Sequence, residues 1–143
     1  TEPVDGSEDS ITYEPVPAGK LAARLMRNGH VILSDLSFDS GSAQLSAGNF
    51  QSLDALAAYL TEHPEIKIAL VGHTDSQGAL SRNIELSKRR AQSVAERLIS
   101  TYAIPRSQIQ AEGMGYLAPV ASNLSQEGRD LNRRVEAILL SSE

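Results

Sequence analysis

Residues 66–78 read Ile-Lys-Ile-Ala-Leu-Val-Gly-His-Thr-Asp-Ser-Gln-Gly. The first six are almost all β-branched or aliphatic, lie between Pro64 and Gly72, and predict a strand. Thr74 to Gly78 are polar and end on glycine, so they predict a loop. A long helix is expected directly after it, from about Leu80 to Tyr102, with Ala91, Val94, Leu98 and Tyr102 as its apolar stripe. A strand feeding a polar loop that opens a helix is the unit of an α/β layer. In such layers ligands sit beyond the carboxyl ends of the strands, where helix N-termini offer unpaired N–H groups.

The pattern repeats upstream. Residues 20–27 have helical spacing of Leu21, Arg24 and Leu25, and Asn28-Gly29 stops them. Val31, Ile32 and Leu33 predict a short strand running on towards Leu36 and Phe38. Residues 38–42 (Phe-Asp-Ser-Gly-Ser) are a second turn-rich loop. Ser46 is the expected cap of a helix striped by Phe50, Leu53, Leu56, Ala57 and Leu60 and ended by Pro64. Downstream, residues 108–112 and 134–140 predict two more strands. The stretch between them, with Gly115, Pro119, Asn123 and Gly128, reads as irregular. The resulting class is α/β, an α+β sandwich in βαβαββ order: a mixed sheet with helices packed against one face.

Composition sets limits on function. The 143 residues suit one domain, 41% of them are apolar, and there is no cysteine for a disulfide or thiolate site. Residues 1–18 hold Glu2, Asp5, Glu8, Asp9 and Glu14 with no Lys or Arg, and the whole net charge of −5 resides there. They read as an acidic flexible leader or linker, with residues 19–143 as the domain. The neutral body speaks against nucleic acid as a partner. No stretch approaches the roughly 18 apolar residues of a membrane-spanning helix. The chain starts at Thr1 without a visible signal peptide, so a mature protein or excised fragment is expected, with any membrane contact made by a segment upstream.

Two charged residues stand out. Asp75 lies in the loop after the central strand, and Arg90 follows fifteen residues on. At ~100° per residue, Asn83, Leu86, Arg90 and Val94 fall within one arc of about 80°. Arg90 therefore leans towards the apolar stripe, where it needs an anionic partner; Arg97 also reaches the stripe's margin. On spacing alone the plainer account is favoured: Asp75 and Arg90 pair with each other, or Arg90 extends to solvent. His73 and Asp75 form a His-x-Asp spacing, but no further histidine clusters with them, so no metal and no cofactor is expected. No Gly-x-Ser-x-Gly elbow supports a nucleophile.

The stretches Gly72-His73-Thr74-Asp75-Ser76-Gln77-Gly78 and Asn83-Ile84-Glu85-Leu86-Ser87-Lys88-Arg89-Arg90-Ala91 together resemble the signature of the OmpA C-terminal family (OmpA, Pal and MotB among its members). Phe38-Asp39-Ser40-Gly41-Ser42-Ala43, Gly113-Met114-Gly115-Tyr116 and Gly128-Arg129-Asp130-Leu131-Asn132-Arg133-Arg134-Val135-Glu136 continue the resemblance over about residues 30–140. It implies a non-enzymatic domain that binds peptidoglycan through meso-diaminopimelate in the stem peptide. Such a domain holds the outer membrane or an envelope complex to the wall from the periplasm of a Gram-negative cell. It also implies that Asp75 takes the ligand ammonium and Arg90 the carboxylate, with Asp39, Ser40, Thr74, Asn83 and Leu86 lining the pocket and Arg134 closing its far side. Two other functions stay open: the wall anchor of a flagellar stator or secretion apparatus, and, further off, an enzyme acting on peptidoglycan. A homodimer also stays open.

Overall fold

The computed structural model describes residues 18–39 and 42–142. Residues 1–17 of the expected leader, and Ser40, thus lie outside the described residues. Four helices and four strands alternate: α1 Leu21–Asn28, β1 His30–Ile32, α2 Gln51–Glu62, β2 Lys67–His73, α3 Leu80–Tyr102, β3 Ile109–Gly113, α4 Gln126–Asn132 and β4 Arg134–Ser141. The strands form one mixed sheet in the order β1-β4-β2-β3. β4 is antiparallel to both neighbours, and β2 runs parallel to β3, a pairing that needs a crossover, here supplied by α3.

Alternation along the strands decides which residues face the helices. Ile68 and Leu70 of β2, and Val135 and Ala137 of β4, are buried against Leu53, Leu56 and Leu60 of α2 and Val94 and Leu98 of α3. Their strand neighbours His73, Arg134 and Glu136 point to the opposite face. The helix layer is drawn close at the loop end of the sheet. Gly72 and Gly113 are paired across β2 and β3. A Cβ on Gly72 would stand 2.1 Å from the Ser87 carbonyl oxygen, and one on Gly113 would stand 2.4 Å from the Lys88 nitrogen. Only glycine lets the α3 backbone rest there, and that contact sets where the first turns of α3 meet the loop after β2.

Three local expectations are corrected. Ser46 does not cap α2, which begins at Gln51 with no cap from its own N-cap residue. Asp35 does the work from a distance, accepting the Ser52 N–H at 3.0 Å. β1 covers His30–Ile32, so Leu33 falls beyond it, although the Leu33 N–H still donates to the Val135 carbonyl at 3.0 Å. The stretch read as irregular contains α4, capped by Ser125, whose hydroxyl accepts the Gly128 N–H at 2.9 Å. Asn132 closes that segment from full burial. Its Oδ1 accepts the N–H groups of Val120 and Ala121, and its Nδ2 donates to the Ala121 carbonyl and to Asn123.

Candidate functional site

One face of α3 organises the loop at residues 42–48. Ser93 accepts the Leu45 N–H at 3.0 Å, and Arg97 donates to the carbonyls of Leu45, Ser46 and Gly48. Arg97 is thereby committed to structure. Arg90, two turns earlier on that face, donates from Nε to the Ser42 carbonyl at 3.0 Å and lies over the Phe38 ring, with Cζ 5.2 Å from the centroid, a cation–π distance. Among the described residues its two terminal nitrogens have no hydrogen-bond partner. Burial pulls its pKa below the ordinary value, Arg133's charge adds to that pull, and Asp75 opposes it. A guanidinium so placed stays charged and gains from an incoming anion.

Asp75 is buried at the head of the loop after β2. Its Oδ1 accepts the Gln77 N–H at 3.0 Å, an Asx turn, and its Oδ2 accepts from Arg133. Asp75 and Arg90 therefore do not pair with each other. Arg133 stands between the acids, donating to both Asp75 and Asp130. A carboxylate has about four acceptor positions, so Asp75 retains capacity for a second donor.

These groups meet at a cleft of about 280 Å³ lined by Phe38, Asp39, His73, Arg90, Arg133 and Arg134, among others. Of the residues expected at the site, Asp39, Arg90 and Arg134 line it directly, and Asp75 adjoins it through Arg133. Arg134 forms the far wall, yet its guanidinium is already spent on Glu136, the Asn132 carbonyl and the Ala118 carbonyl. Thr74 and Asn83 are not brought to the lining and instead brace the loop. The Thr74 hydroxyl donates to the Asp75 carbonyl and Asn83 Nδ2 to the Gln77 carbonyl, both at 2.8 Å. Leu86 is half-buried one turn before Arg90 and is likewise not part of the lining. Arg133 and Phe38 are the residues that reading the sequence missed. The run Asp130-Leu131-Asn132-Arg133-Arg134, an acid and two bases around a buried Asn, was the signal available for Arg133.

His73 is buried beside Arg134, with Nε2 3.7 Å from Glu136 and Nδ1 without a partner among the described residues. Burial, and then the charge of Arg134, push its pKa from 6.5 down to about 4, with Glu136 opposing. The unfolded chain thus binds a proton here that the fold excludes. The resulting stability is fully present above pH 6.5 and is lost as pH falls towards about 4. Between pH 7.5 and 4.5 His73 is expected to account for about 2–3 kcal/mol of lost stability. Urea titrations at the two pH values should show a smaller loss for His73→Gln; equal losses would refute the buried neutral imidazole.

The four-stranded mixed sheet with α1, α2 and α3 against one face, and an acid-and-arginine cleft at its loop end, defines a small α/β domain with a preformed charged site. The chain belongs to the OmpA family, whose sequence model matches residues 37–133. It is 41% identical over 106 residues to the probable lipoprotein YiaD of Escherichia coli K12, covering 74% of this chain and 48% of that protein. It is 34% identical over 104 residues to the peptidoglycan-binding protein ArfA of Mycobacterium bovis, covering 73% of this chain and 32% of that one. The solved cell wall anchor of the T6SS from Pseudomonas aeruginosa superposes with a TM-score of 0.64 at 31% identity, covering 89% of this chain and 99% of that chain. The chain thus spans about half the length of the E. coli relative and about a third of the mycobacterial one.

Proposed function

We propose that this domain binds peptidoglycan non-covalently, through the meso-diaminopimelate of its stem peptide, and anchors an outer membrane or envelope complex to the wall from the periplasm. The observation that carries the reading is the pairing of environments around one cleft: beside it a buried carboxylate, Asp75, with acceptor capacity left, and in its lining a half-buried guanidinium, Arg90, whose two terminal nitrogens have no partner among the described residues. The free end of diaminopimelate is a zwitterion, with an ammonium and a carboxylate on one carbon. Asp75 receives the ammonium and Arg90 holds the carboxylate by parallel N–H bonds. Asp39 borders the pocket, Thr74 and Asn83 fix the loop, Leu86 sits one turn before Arg90, and Ser40 is assigned to the pocket by the family resemblance alone. Kinship with a peptidoglycan-binding protein and with a cell wall anchor supports the reading.

The same cleft serves a second reading, the wall-anchoring part of a secretion machine, which the likeness to the T6SS anchor favours. The two share one ligand and differ in what the domain is attached to. Binding proceeds without cleavage of the ligand, so the pure protein should release no soluble muropeptides from sacculi. The direct experiment is co-sedimentation. The domain should pellet with diaminopimelate-type peptidoglycan and poorly with the lysine type, whose side chain keeps the ammonium but lacks the second carboxylate. Equal retention on both would sink the zwitterion account.

A further inference from the structure

A second cleft, of about 330 Å³, adjoins the first and shares Ser34, Arg133 and Arg134 with it. Arg24 of α1, His30 of β1 and Asp130 of α4 line its remaining walls. β1 is an edge strand whose one partner among the described strands is β4. The Gly29 carbonyl and the Leu33 N–H are bonded towards β4. By antiparallel alternation, the backbone groups of His30 and Ile32 face away from the sheet.

The charges of this second cleft are unequally satisfied. Arg133 is held by Asp75 and Asp130, and Arg134 by Glu136 and two carbonyls. Arg24 is half-buried and makes no hydrogen bond or ion pair among the described residues. A partly desolvated guanidinium, beside strand N–H groups that have no partner among the described strands, is a donor set that suits an anion.

We infer that this cleft is a second subsite for the same ligand and takes another free carboxylate of the stem peptide, with Arg24 as its cation. The inference rests on the peptidoglycan reading above and extends it from one residue to a peptide. Two observations select the occupant. The two clefts adjoin at Ser34, Arg133 and Arg134, so the second is the neighbouring opening for the residue next to a seated diaminopimelate. The unspent charge is positive, and the glutamyl residue beside diaminopimelate carries an α-carboxylate that is free in some walls and amidated in others. The carboxylate offers acceptors alone, whereas the amide is neutral and brings donors of its own.

Calorimetric titration of three probes tests this: meso-diaminopimelate, a stem tripeptide with its glutamyl α-carboxylate free, and the same tripeptide amidated. The parent protein should prefer the free-acid tripeptide over the amide by about fivefold, as one partly exposed charged hydrogen bond allows. Arg24→Gln should abolish that preference and leave the affinity for meso-diaminopimelate unchanged. Asp75→Asn should lose all three probes. A parent indifferent to amidation, or Arg24→Gln that keeps the preference, overturns the subsite while leaving the first cleft intact. Normal binding of meso-diaminopimelate by Asp75→Asn overturns the underlying reading and this one with it. A peptide of residues 1–17, which carries five acids and no base, should not displace the free-acid tripeptide. If it does, the cleft serves the chain's own leader and the proposal falls.

Discussion

Arg90→Ala is expected to weaken binding of a diaminopimelate peptide about a hundredfold, since a bidentate charged contact supplies about 3 kcal/mol and the ligand carboxylate would be left without a cation. Arg90→Lys should retain the charge and still lose at least about tenfold, because an ammonium cannot reproduce the planar fork. The structure sharpens this expectation: Arg90 is steered by Nε on the Ser42 carbonyl and by the Phe38 ring, and lysine supports neither contact in the same geometry. Asp75→Asn should bind as weakly as Arg90→Ala. It also removes one of the two charged partners of Arg133, whose side chain is 36% exposed, so the stability cost should stay near 1 kcal/mol. Peptide titrations, with circular dichroism to verify folding, separate the cases. Parent-like binding by Arg90→Lys would mean that net charge alone matters. Parent-like binding by all three would mean that the ligand sits elsewhere.

Gly72→Ala should be the most damaging single change to the scaffold. The added methyl meets the Ser87 carbonyl oxygen at 2.1 Å and the Ser87 carbonyl carbon at 2.8 Å, and both belong to a helix backbone that cannot yield as a side chain does. α3 must move away from the sheet, at a cost of about 3 kcal/mol or more. Because α3 carries Arg90 while β2 leads directly into Asp75, the same shift separates the two charges. Urea unfolding should show the lost stability, and peptide titration the lost affinity even where the variant remains folded. A parent-like midpoint would show that the helix slides aside freely and that the close approach is incidental.

The parts of this fold that were legible in the sequence are those governed by local periodicity. β2, α3 and the loop between them follow from an apolar run, a glycine-bounded polar stretch and a 3.6-residue stripe, all written within 40 residues. What escaped depends on contacts between distant segments. Asp35 caps α2 from across a loop, and nothing near Gln51 signals it. α4 is seven residues long with a glycine inside it, too short for periodicity to register. Arg90 and Arg97 occupy almost the same angular position on α3, and the sequence cannot rank them. The loop at residues 42–48 does, taking the whole Arg97 fork and only the Nε of Arg90. Arg133 was hidden by its neighbour. It occupies the C-cap position of α4 with extended backbone, so it and Arg134 diverge, one to Asp75 and one to Glu136.

The position of β4 dictates an order of assembly. The strand latest in sequence among the described residues is inserted between the two earliest: His30 pairs with Ile138 and Gly72 with Val135. β2, α3 and β3 can come together as a parallel unit from contiguous chain, but among the described strands β1 has no partner until residues 134–141 arrive. A nascent or partly threaded chain therefore carries two unsatisfied strand edges, on β1 and β2, which invite pairing with other chains. Closure of the sheet is a long-range event that pays its loop entropy before any reward. The same closing strand carries Arg134 and Glu136, so the wall of the cleft that they form is complete only once the sheet has closed.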